Sequence, residues 1–113
     1  MTDIKLFKEH DVFVGFECSG HTGYNTHGKD ILCATISGIS QSVILGLEKV
    51  CNIKTSITRR DKDGYIKVII PLTIARYQVE QAQILFETFK ASIEDLLSGY
   101  SKYISMEVTE NVY

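Results

Sequence analysis

VFVGFECSGHTGYNTHGKDILCATISGISQSVILGLEKV, residues 12–50, changes its periodicity once, and that change decides the fold. At its start Val12, Val14, Phe16 and Cys18 recur at period two, which puts them on one face of a strand. From Ile31 to Val50 the apolar residues Leu32, Ile36, Ile39, Val43, Leu47 and Val50 recur at spacings of three and four, which predicts a helix with one buried stripe. Asp30, directly ahead of that run, is suited to cap it. Ala34, Ser37, Gly38, Ser40, Ser42 and Gly46 keep the helix thin, although each glycine costs roughly 1 kcal/mol against alanine. Something is therefore expected to approach its backbone closely.

Outward from this segment, Ile4–Phe7 and Val12–Cys18 flank the polar turn Lys8-Glu9-His10-Asp11 and predict a hairpin. Ile53–Thr58 and Tyr65–Ile70 both alternate, and the RRDKDG between them ends in Asp63-Gly64, a second hairpin signal. Over Arg76–Ser98 the stripe Val79, Ala82, Phe86, Phe89, Ile93, Leu96 predicts a second helix, with Gly99 as its C-terminal cap. Leu85 and Leu97 lie beside that stripe and hint at a subunit contact, hence a homodimer. Tyr103–Val108 alternates as a last strand. The order β-β-α-β-β-α-β predicts an α+β fold, a single mainly antiparallel sheet with two helices packed on one face. With 113 residues, no repeat, no linker and one proline, Pro71, between apolar segments, one domain over 1–113 is expected.

Hydrophobic residues make up 44% and charged residues 23%, the balance of an ordinary soluble globular protein. A net charge of -2 and a pI near 5.9 disfavour a protein held to nucleic acid by phosphate charge. MTDIKLFKEHD has no apolar run of secretory length, and no segment is expected to approach the roughly 18 apolar residues of a membrane span, so a cytoplasmic protein without membrane contact is expected. Three cysteines at uneven spacing, Cys18, Cys33 and Cys51, do not form a disulfide framework. Cys18 continues the inward period of its strand and Cys51 follows Val50 at a helix end, so both read as small core residues.

Cys33 differs. With Asp30 as cap it falls in the first helical turn, where unpaired N–H groups and the helix dipole favour negative charge. Such positions can lower a cysteine pKa from about 8.5 to about 3.5–7.5, and the thiolate is the nucleophile, although the Asp30 carboxylate opposes a second anion. A nucleophilic thiol needs a base, and both His21, at the strand end, and His27, within the loop, are candidates that spacing alone does not separate. Gly20, Gly23 and Gly28 allow the loop positive φ or movement as a lid. Cys18-x-x-His21 and His27-x5-Cys33 also offer four zinc-type ligands, but one would come from a strand interior and one from a helix, so no metal or other cofactor is expected.

Gly20-His21-x-Gly23-Tyr24, followed by Gly28-x-Asp30-Ile31-Leu32-Cys33-Ala34 and then Ser37, resembles the ribosomal-processing cysteine protease (Prp) family of bacteria, with its G-H-x-G-Y segment and its G-x-D-I-V-C-A-A motif. The likeness runs over essentially the whole chain. It implies a catalytic dyad of Cys33 as nucleophile and His21 as general base and acid, with His27 a bystander. It places Asp30 as a cap beside the site, and Ser37 one turn beyond Cys33. It also implies a homodimer that removes a short N-terminal extension from ribosomal protein twenty-seven of the large subunit, cutting after a phenylalanine, and so contributes to ribosome assembly. The departures are Thr22 where alanine is common, Leu32 for valine and Thr35 for the second alanine. As chemistry, Cys33 would attack the peptide carbonyl while His21 holds its proton, N–H groups of the first turn including that of Cys33 would stabilise the oxyanion, and Tyr24 would line apolar subsites. No third residue is evident to orient His21. A non-catalytic, dimeric, ribosome-associated scaffold of the same fold is the alternative.

Overall fold

The computed structural model describes residues 1–26 and 30–110. Strands β1 (Thr2–Glu9) and β2 (Val12–Ser19) form the expected hairpin, turning through His10 and Asp11 at φ 50° and 65°. Helix α1 (Ile31–Leu45) follows, then β3 (Ser56–Arg60), β4 (Tyr65–Ile69), helix α2 (Arg76–Tyr100) and β5 (Ile104–Glu110). The sheet order is β3-β4-β2-β1-β5, with every pair antiparallel except β1 and β5.

This order explains why both helices share a face. β2 connects through α1 to β3, and β4 connects through α2 to β5; each is a crossover between parallel strands, and the two move in opposite directions along the sheet from strands of opposite sense. Right-handed crossovers then put both helices on the same side. Their core centres on Phe16, stacked on Phe89 at 4.2 Å between centroids and edge-on to Phe86 at 6.4 Å. Those rings meet because Phe16 faces inward from β2 while Phe86 and Phe89 lie on the α2 stripe, all three fully buried.

The structure amends several expectations. The strict alternation of β2 is broken by a bulge, so Phe13 is buried along with Val14, and the Gln83 side chain bonds its backbone on both sides, accepting from Phe13 N at 2.7 Å and donating to Phe13 O at 2.8 Å. α1 ends in a wider turn over Gly46–Val50, with Cys51 N donating to Gly46 O at 2.9 Å; this advances the register, leaving Val50 76% exposed and turning Cys51 inward. Of Gly38 within α1 and Gly46 just after it, Gly46 faces a close neighbour: a Cβ there would sit 3.0 Å from the Leu85 methyls, whereas one at Gly38 would meet nothing within 4 Å. Leu85 therefore packs within the chain, and Leu97, likewise partly buried, packs against the core.

β3 begins at Ser56 rather than Ile53, since Ile53 is a buried core residue whose N–H is bonded to Leu47 O. Gly99 is not a cap: α2 runs on to Tyr100 and ends at Ser101 with φ -59°, closed by Tyr103 N donating to Tyr100 O. Contrary to the composition reading, Ile31–Val50 is long and apolar enough to cross a membrane, with a mean hydropathy of 1.5. Leu32, Ile36, Val43, Ile44 and Leu47 of that segment are buried in the core.

Candidate active site

β2 ends at Ser19, and the chain turns off the sheet through Gly20 and Gly23, at φ 92° and 74°. The Gly20 turn is tied down by the Thr2 hydroxyl, which donates to Gly20 O at 2.8 Å. His21 follows at once, half-buried at the mouth of a cleft of about 510 Å³. One wall is the start of α1, with Cys33, Ser37 and Gln41; the other is the β3–β4 tip, with Arg59 and Asp61. Cys33 Sγ lies 3.9 Å from His21 Nδ1, and His21 Nε2 lies 3.1 Å from the Lys62 carbonyl.

Asp30 is the hub beneath this pair. Its Oδ1 accepts from Cys33 N at 2.9 Å, capping α1, while its Oδ2 accepts from the Thr22 hydroxyl and from the N–H groups of Tyr24 at 3.1 Å and Asn25 at 3.4 Å. Burial works against its charge, but these hydrogen bonds, from Thr22, then Cys33, Asn25 and Tyr24, outweigh it and hold the carboxyl below the usual carboxylate range. This corrects one expectation. The Cys33 N–H is already engaged by the cap, so it is not a donor waiting for an oxyanion.

Thr22, a departure from the family pattern, is 1% exposed and acts in this hub. Its role was missed because a lone threonine in a polar loop carries no signal until its partner is known. Tyr24 does not line the cleft: its ring packs edge-on against Tyr100 at 5.6 Å and Tyr103 at 5.3 Å, fastening the loop to the end of α2. Thr35 turns its hydroxyl back to Ile31 O on its own helix. His27 and Gly28 lie outside the described residues.

The other thiols are buried. Cys18 sits at the cleft floor with Sγ 3.6 Å from Ser40 Oγ, and burial, partly offset by that contact, pushes its thiol up to about 12. Among the described residues no three of His, Cys, Asp or Glu are grouped to hold a metal ion.

A thiol in the first turn of a helix, facing an imidazole across an open cleft, is the arrangement of a thiol-dependent hydrolase; such nucleophile–base contacts are commonly long without substrate. The family model of cysteine protease Prp matches residues 1–105, and the chain belongs to that family of cysteine peptidases. It is 22% identical to the ribosomal processing cysteine protease Prp of Bacillus subtilis over 99% of each chain. In fold it is similar to a Streptococcus mutans protein, with a TM-score of 0.82 at 24% identity over 98% of this chain and 96% of that one. It is likewise similar to the essential ribosomal processing protease Prp of S. aureus in complex with a covalently linked product peptide, with a TM-score of 0.84 at 17% identity over 96% of this chain and 99% of that one.

Proposed function

We propose that this peptidase acts through a dyad of Cys33 and His21 and removes the N-terminal extension of ribosomal protein twenty-seven of the large subunit, cutting after phenylalanine, in the cytoplasm and as a homodimer. The observation that carries the dyad is the 3.9 Å approach of Cys33 Sγ to His21 Nδ1 at an open cleft. The substrate reading is supported by the name of the B. subtilis relative and by the S. aureus protein's covalently linked product peptide.

In this reading Cys33 Sγ attacks the scissile carbonyl carbon and its proton passes to His21 Nδ1. Collapse of the tetrahedral adduct breaks the C–N bond, and the proton goes to the leaving amine. Water then adds to the thioester, giving its proton to His21, and the acid product leaves as Cys33 is regenerated. The positive end of α1 favours the developing oxyanion. Ser37, on the same wall of the cleft one turn on, faces the substrate side.

The test is cleavage of a peptide carrying the extension, with wild type, Cys33→Ala and His21→Ala side by side. Either substitution is expected to lower turnover by roughly 10⁴-fold or more. Equal cleavage by Cys33→Ala would overturn the dyad, and no cleavage by a correctly folded wild type would favour the scaffold.

A further inference from the structure

We propose that the tip of the β3–β4 hairpin is a third part of this site, with the Lys62 main-chain carbonyl fixing the tautomer and ring orientation of His21. This rests on the Cys33–His21 reading and adds a positioning residue to it. The carbonyl can only accept, so the 3.1 Å contact puts a proton on Nε2. A neutral imidazole carries one N–H, so Nδ1 is left with a lone pair, and Nδ1 is the atom that faces the Cys33 thiol. The same contact steadies the imidazolium once Nδ1 has taken the proton, as an orienting carboxylate does in other nucleophile–histidine pairs.

The tip also lies close enough to the ring to leave no room for a side chain between them. Gly64 sits at φ 61°, and a Cβ there would lie 3.0 Å from both Cε1 and Nδ1 of His21. The hairpin presents that surface because Asp61–Asp63 form one turn of 3-10 helix closed by Gly64 N donating to Asp61 O, with the Lys62 carbonyl directed to His21 instead. Arg59 and Arg60 bind the tip together, pairing with Asp61 at 3.9 Å and Asp63 at 3.3 Å. Arg59 also donates to Gln41 on α1 at 3.2 Å, so the hairpin that holds the base is referenced to the helix that holds the nucleophile.

The test replaces the amide between Lys62 and Asp63 by an ester, which keeps every side chain and weakens the carbonyl as an acceptor. The full chain is assembled by ligation at its native Cys51. Nitrogen NMR of labelled His21 reads the tautomer, and peptide cleavage reads kcat and KM. The wild type is expected to show the Nε2–H tautomer; the ester form is expected to lose that preference and about tenfold in kcat with KM little changed. An Nδ1–H tautomer in the wild type would overturn the proposal, and so would an ester form with wild-type kcat and tautomer. If the ester form does not fold, the wild-type tautomer still decides. Failure of the dyad itself reads differently, as undiminished cleavage by Cys33→Ala.

Discussion

Two connections meet at the cleft and contribute to it in different ways. The segment between β2 and α1 contributes mainly side chains: the Asp30 carboxylate joins the Thr22 hydroxyl to the Cys33 N–H, and the His21 imidazole faces the Cys33 thiol. The β3–β4 tip acts through its main chain, with the Lys62 carbonyl on Nε2 and Gly64 against the imidazole. Side-chain chemistry is specified by residue type and spacing, and so it can be read from a motif. A carbonyl is present in every residue, and its direction follows from backbone dihedrals that the fold imposes.

The comparison breaks most sharply at the proposed dyad of Cys33 and His21. Cys33→Ser is expected to lower kcat/KM by roughly 10⁴-fold, measured on the extension peptide, while leaving thermal unfolding close to wild type. Next comes the tip: Gly64→Ala puts a Cβ on the His21 ring at a positive φ, and a displacement of about 1 Å is expected to cost about 100-fold in kcat with the dyad itself intact. Wild-type turnover in Gly64→Ala would show that the tip is a bystander.

Asp30→Ala removes the α1 cap and leaves the buried Thr22 hydroxyl without its acceptor, for a loss of about 2–3 kcal/mol in denaturant unfolding. The sign of the accompanying pH effect follows from the lowered Asp30 pKa. Its ionised form is favoured in the folded chain, so its contribution is present above the unfolded carboxylate pKa of about 3.9 and is lost as pH falls through the lower folded value. Asp30→Asn is therefore expected to flatten the acid limb of the stability profile. The smallest effect is Thr22→Ala, about 1 kcal/mol, with the Asp30 carboxyl moving up because its largest hydrogen-bond support is gone.

Much of the fold was legible because it depends on periodicity. Phe16 at period two and Phe86, Phe89 and Ile93 at helical spacing had to be buried together, and strand and helix order followed. What failed lay where tertiary contact overrides local pattern. The bulge that buries Phe13 is satisfied by Gln83, distant in sequence, and the widened turn after Gly46 exchanges Val50 for Cys51. Gly99 looked like a cap, yet α2 passes through it and closes at Tyr100 and Tyr103, where Tyr24 also packs.

At the site the division is the same. By itself the sequence determined that a thiol would stand in the first turn of α1 behind a capping aspartate, with a histidine at the end of the preceding strand, because caps, helix starts and strand ends are local. Tertiary structure decided which atoms face one another. Nδ1 turns to Cys33, the Cys33 N–H is occupied by Asp30, and a hairpin some forty residues along the chain supplies the carbonyl opposite Nε2. Those choices depend on how the β3–β4 tip, α1 and the end of β2 converge in space, and no spacing along the chain encodes that distance.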